Sequence, residues 1–145
     1  MENQKYDPLK LENQLCFPLY AAAREVVKLY RPCLEELDLT YTQYIAMLVL
    51  WQCGRSSVKE LGEKLYLDSG TLTPVLKSLE KKGFITRSRS VQDERVLTVE
   101  VSPEGNRLRD RALSVPRQMI GCLHLSEEEY FPLYTLLYKL LGNEE

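Results

Sequence analysis

Between Ser57 and Val101 the spacing of apolar residues changes once, and that change restricts the fold more than any other feature of the chain. Val58, Leu61 and Leu65 recur at helical spacing. Leu72, Val75, Leu76 and Leu79 repeat the pattern from Ser69 onward, until Gly83 stops it. Only Tyr66-Leu67-Asp68 separates the two stretches, so they read as a helix-turn-helix. Pro74 has no N–H and fits best in a first turn, which places the start of the second helix between Ser69 and Thr73. Beyond Gly83 the period becomes two. Ile85 to Arg89 and Arg95 to Val101 read as strands, the second setting Leu97, Val99 and Val101 against Val96, Thr98 and Glu100. A hairpin directly after a helix-turn-helix is a wing.

The flanks are helical. Thr40 with Gln43, Ser57 with Glu60 and Ser126 with Glu129 have capping-box spacing, and Ser102-Pro103 reads as an N-cap with a first-turn proline. A first helix is expected from about Lys10 to Tyr30, with Leu11, Leu15, Leu19, Ala22, Ala23 and Val26 on one stripe and a kink or late start at Pro18. Arg31-Pro32 then begins a break or a second short helix. The helix after Thr40 carries Ile45, Leu48, Val49 and Trp51 and ends near Gly54. Two helices are expected after Ser102. The last, Ser126 to Leu141, is apolar around most of its circumference, more than a small domain covers alone, so a homodimer is expected. The fold class is mostly α with a small β-hairpin wing. One domain spans 1–145, with a winged helix-turn-helix over about 57–101 and dimerisation helices over about 8–32 and 103–145.

Composition agrees with one folded domain: 145 residues, 44% hydrophobic and 28% charged. No apolar run reaches the roughly 18–20 residues of a membrane span, and Met1 to Lys10 lacks an apolar signal core. A cytoplasmic protein without membrane contact is expected. Cys16, Cys33, Cys53 and Cys122 form no CxxC pair, and His124 stands alone, so neither a metal nor a cofactor is expected. Spacing alone makes each cysteine a small buried hydrophobe.

The net charge is −2, but its distribution matters more than its sum. From Ser69 to Val96, Lys77, Lys81, Lys82, Arg87, Arg89 and Arg95 outnumber Glu80, Asp93 and Glu94. The acidic balance lies partly in Glu127 to Glu129 and in Glu144 and Glu145. Ser69, Gly70, Thr71, Thr73 and Lys77 fall off the apolar stripe, as small polar and basic groups in a major groove must. Arg87 adds a positive strand residue. Arg95 suits the narrow minor groove, and Asp93 is placed to orient it by a bidentate pair. A double-stranded DNA reader is expected.

In its order of helices, helix-turn-helix and wing, the chain resembles the MarR family of dimeric winged-helix regulators. Within that family it looks like the OhrR-type organic hydroperoxide resistance regulators. Leu11-Glu12-Asn13-Gln14-Leu15-Cys16-Phe17 is similar to their sensor segment. Asp38 to Tyr44 continues the likeness, although that group often has Pro where this chain has Thr42. Leu65 to Pro74 resembles their recognition-helix motif and Asp93-Glu94-Arg95 their wing motif. The likeness covers about residues 10–116.

The resemblance implies that Cys16 is the redox sensor, with Tyr30 and Tyr41 from the partner subunit hydrogen-bonding its thiolate. It implies a repressor that leaves a palindromic operator once an organic hydroperoxide has oxidised it. Some members resolve the sulfenic acid with a second cysteine near the C-terminal helices, close to the place of Cys122. Others form mixed disulfides with cellular thiols. The chemistry is sound: helix N-termini and neutral donors favour a thiolate, and sulfenic acid is its first oxidation product. Two other readings stay open. One is a MarR-type regulator of a phenolic ligand or general oxidants, with Tyr30, Tyr41 and Trp51 lining a pocket. The other is a thiol peroxidase, which would consume many equivalents of peroxide.

Overall fold

Three of the helices begin at the capping boxes expected for them. A computed structural model describes residues 2–143; Glu144 and Glu145, part of the acidic balance, lie outside it. The chain opens with the turn α1 (Glu2–Lys5) and two 3-10 turns, Asp7–Leu9 and Leu11–Asn13. Helices α2 (Cys16–Glu35) and α3 (Tyr41–Cys53) follow, then β1 (Arg55–Ser57), α4 (Val58–Leu65) and α5 (Ser69–Lys81). Strands β2 (Ile85–Arg89) and β3 (Leu97–Val101) form the wing. Helices α6 (Pro103–Ala112), α7 (Ser114–Leu123) and α8 (Glu127–Leu140) complete the fold. The boxes of Thr40, Ser57 and Ser126 start α3, α4 and α8, and Ser102 caps α6 through the Gly105 N–H.

The first long helix starts at Cys16, not near Lys10. The Asn13 amide donates to the Asp7 carbonyl at 2.7 Å, and the Gln14 amide donates to the Pro8 and Lys10 carbonyls at 2.6 and 2.9 Å. These local bonds compete with helix formation and hold the 3-10 turns. Pro18 sits in the first turn of α2, where its missing N–H costs no helical bond. The expected break at Arg31-Pro32 does not occur: α2 runs through Pro32 to Glu35, anchored by buried Leu34.

Three other features correct the expected layout. The sheet has three antiparallel strands in the order β1-β3-β2, with Ser56 opposite Val99 and Arg87 opposite Val99 on its other edge. Three helices, not two, follow Ser102. Pro116 cannot bond the Ala112 carbonyl four residues back, so the chain breaks between α6 and α7 at Leu113. In α5 the proline lies in the second turn rather than the first.

Met47, Leu50, Leu61, Leu72, Leu76, Leu79 and Val99 form the centre of the core between α3, the reader and the sheet. Gly105 lets α6 approach the base of the wing: a Cβ there would collide with the Phe84 carbonyl. Its own carbonyl accepts the buried Trp51 Nε1–H at 2.8 Å. By contrast α8 buries none of its residues, and Phe131, Leu136 and Leu140 stand open. The stripe expected to face inward on the first helix is also open, at Leu15 just before α2 and at Leu19 within it. Among the described residues no helix is long and apolar enough to cross a membrane.

Candidate nucleic-acid interface and thiol site

The recognition helix α5 is started by Asp68, whose Oδ1 accepts the Thr71 N–H at 2.7 Å. That bond holds the Asp68 carboxyl below its ordinary range. Ser69, Gly70, Thr71 and Lys77 are exposed on the same helix. Thr73 is half-buried, and its hydroxyl donates to the Ser69 carbonyl at 2.6 Å. Pro74 has no N–H to close the helical bond to the Gly70 carbonyl.

At the wing tip the Arg95 side chain is 91% exposed. Asp93 orients it, although not by the bidentate pair expected. One oxygen, Oδ1, accepts both Arg95 Nε–H at 3.1 Å and the Arg95 backbone N–H at 3.0 Å. Arg89 is tied to the same tip by donating to the Glu94 carbonyl at 3.0 Å. Arg87 does not join this outer set. Its guanidinium meets Glu80 of α5 at 3.0 Å, and its backbone N–H donates to the other Glu80 oxygen at 3.2 Å. The pair lowers the Glu80 carboxyl and fastens β2 to the recognition helix. In the sequence Glu80 counts only as a negative charge in a basic run, and nothing there pairs it with Arg87.

Cys16, Cys33 and Cys122 lie on α2 and α7, outside the reader, whereas Cys53 ends α3 just before β1. Cys16, Cys53 and Cys122 are exposed, against the burial that spacing alone favours, and Cys33 is half-buried against the core. Cys33 Sγ–H donates to Gln118 Oε1 at 2.8 Å, joining α2 to α7. Tyr30 and Tyr41 come together, with ring centroids 4.9 Å apart, and Tyr44 joins at 5.8 Å from Tyr30. Burial pushes the Tyr30 phenol up to about 12, with Tyr41, Tyr44, Tyr130 and Cys33 adding to it. Burial also raises Tyr41 and Tyr44. These phenols stay neutral donors at any physiological pH. Cys16 does not reach them within one chain. Fourteen residues of α2 separate Cys16 from Tyr30, about 21 Å at the helical rise. Trp51 is absent from the cluster, bound instead to the carbonyl of Gly105 in α6. A phenol pocket built from Tyr30, Tyr41 and Trp51 therefore lacks its third wall. No group of three or more His, Cys, Asp or Glu side chains that could hold a metal occurs among the described residues.

Residues 28–112 match the family model described as transcriptional regulator SarA/Rot. The organic hydroperoxide resistance transcriptional regulator of Bacillus subtilis is 49% identical over 97% of this chain and 95% of its own. Reduced AbfR bound to DNA, from a protein also solved from Staphylococcus epidermidis, superposes with a TM-score of 0.76. It is 32% identical, with 97% of each chain covered. The disulfide form of AbfR has a TM-score of 0.65 at 30% identity, covering 97% of this chain and 99% of that one. A MarR mutant from E. coli complexed with operator DNA has a TM-score of 0.77 at 25% identity, covering 85% of this chain and 90% of that one. The chain belongs to the MarR/SarA family of winged-helix transcriptional regulators.

For a MarR/SarA-family regulator the three-stranded wing and α5 are the DNA-reading parts. The family regulates transcription and is not enzymatic, so a thiol peroxidase is set aside. The 49% identity makes the chain a regulator of the OhrR type.

Proposed function

We propose that the chain is a homodimeric, cytoplasmic repressor that binds a palindromic DNA operator and releases it when an organic hydroperoxide oxidises Cys16. The observation that carries the reading is the separation along α2. Cys16 stands exposed at the first residue of that helix, where free backbone N–H groups favour an anion. The phenols suited to it lie some four turns away, so a second chain must bring them. In this reading Tyr30 and Tyr41 of the partner subunit donate to the thiolate. The open faces of α2 and α8 supply the dimer contact. Within one site, the thiolate attacks the terminal peroxide oxygen. An S–O bond forms, the O–O bond breaks, and after proton transfer an alcohol leaves and Cys16 is sulfenic acid. A second thiol then displaces water to give a disulfide. Cys122 of the partner subunit or a small cellular thiol provides it.

Ser69, Gly70, Thr71, Thr73 and Lys77 serve the major groove, and Arg95, steered by Asp93, serves the minor groove. Arg87 is assigned to the wing base, not to DNA, because Glu80 occupies it. Two readers on a dimer would meet grooves one helical turn apart, about 34 Å. The test uses a palindromic duplex selected from random DNA by the reduced protein. The expected result is tight binding when reduced and loss of binding after cumene hydroperoxide. Unchanged binding after stoichiometric oxidation would overturn the reading.

A further inference from the structure

Gln43 touches two parts of the molecule that the proposed function keeps apart. It is 5% exposed and lies in the first turn of α3, between Tyr41 and Tyr44. Its backbone N–H donates to Thr40 Oγ1 at 3.3 Å, and its Oε1 accepts the Thr40 N–H at 3.0 Å. Those bonds complete the cap. The side chain then does more. Oε1 also accepts from Lys82 Nζ at 3.1 Å, and Nε2 donates to Ser78 Oγ at 2.9 Å. Ser78 is near the end of the recognition helix and Lys82 follows its last residue. Lys82 in turn donates to the Asp38 carbonyl and pairs with the Asp38 carboxylate at 3.3 Å. Asp38 holds a left-handed φ of 55° just before α3.

A cap alone does not need this arrangement. The boxes at Ser57 and Ser126 use Glu60 and Glu129, both at the surface. Of the three boxes, only that of Thr40 has as its third residue a buried neutral amide, and its side chain reaches one partner on α5 and one at the cap that ends it. A buried amide left unpaired is costly, so the first turn of α3 and the end of α5 are bound to move together.

We propose that Gln43, acting through Ser78 and Lys82, is the positioning residue that couples the Tyr30–Tyr41–Tyr44 cluster to the recognition helix. The proposal rests on the reading of Cys16 as the sensor and goes beyond it by naming the route. Tyr41 is the first residue of α3, and its ring lies against Tyr30. When Cys16 changes from thiolate to an oxidised form, the phenols lose the acceptor they were donating to. A shift of Tyr41 shifts the turn that holds Gln43, and the recognition helix follows through Ser78 and Lys82.

Ser78→Ala removes one bond of the route. It leaves the α3 cap, the Lys82 contacts and the DNA-facing residues of α5 in place. Operator dissociation constants are measured for reduced and hydroperoxide-oxidised protein, and their ratio is the readout, with thermal unfolding recorded alongside. The expected result is reduced-state binding close to that of the unsubstituted protein and a ratio smaller by about threefold or more. Ser78→Thr, which keeps a hydroxyl, should restore the ratio. If Ser78→Ala lowers the melting temperature or shifts both affinities in parallel while the ratio stays unchanged, Gln43 only holds the fold and the proposal is overturned. If the unsubstituted protein shows no change on oxidation, the sensor reading itself fails and this route falls with it. A responsive unsubstituted protein beside an equally responsive Ser78→Ala overturns the route alone.

Discussion

Asp93 holds Arg95 by a single carboxylate oxygen, which accepts both the guanidinium Nε–H and the backbone N–H of the arginine. The pair is too open to water to add much stability. Its effect is on direction. Arg95→Ala is expected to cost about 1–3 kcal/mol of operator affinity without unfolding the protein. Asp93→Ala should cost less, since the charge remains and only its aim is lost. Fluorescence anisotropy over a salt series measures both. Equal affinity for Arg95→Ala at every salt concentration would remove the wing from the DNA interface.

Cys16→Ser should bind the operator as the reduced protein does and keep it after organic hydroperoxide. The serine hydroxyl preserves the size of the helix-start residue and removes the oxidisable sulfur. Gel-shift with and without cumene hydroperoxide is sufficient. Release that persists in the variant would assign sensing to another thiol.

The fate of the sulfenic acid separates the remaining cysteines. Cys33 donates a hydrogen bond to Gln118 Oε1, whereas Cys122 is open near the end of α7. A covalent dimer on a non-reducing gel after hydroperoxide is expected in the unsubstituted protein and should vanish in Cys122→Ser. Its survival in that variant, or coupling only to added thiol, excludes Cys122 as the resolving residue.

The tyrosine cluster predicts an alkaline limit. The Tyr30 phenol is pushed up to about 12 from an ordinary 10.0, so the folded state favours its neutral form more than the unfolded chain does. That contribution is complete below pH 10 and is lost as the pH rises from 10 toward 12. Denaturation midpoints should fall across that window. In Tyr30→Phe the fall should be shallower, since one shifted phenol is gone. An identical slope in both proteins would show that Tyr30 titrates freely.

Much of this architecture was legible because caps and periods are local. Thr40, Ser57, Ser102 and Ser126 act within three residues of themselves, and the stripe of Leu72, Leu76 and Leu79 shows a helix without its neighbours. What was missed is long-range or is decided by a competing local bond. Strand β1 is three residues long, and only pairing with β3 makes it a strand. The side-chain amides of Asn13 and Gln14 delayed α2, and Pro116 split the helix after Ser102. In the site, Tyr30 and Tyr41 were found by resemblance and meet in the fold, but Tyr44 joined unannounced. The pairing of Arg87 with Glu80 was not legible, because Glu80 lies on another element that no spacing rule connects to it.

The length of helix between Cys16 and Tyr30 has a genetic consequence. If each thiol site takes its sulfur from one chain and its phenols from the other, two defective genes can repair each other. A Cys16→Ser chain still offers intact tyrosines. A chain carrying Tyr30→Phe and Tyr41→Phe still offers an intact thiol. Each homodimer is deaf to peroxide, but the mixed dimer assembles one complete site and one doubly defective site. Cells expressing both alleles should regain a peroxide response that neither allele gives alone, in proportion to the share of mixed dimers. Sensor sites confined to single chains would show no such complementation.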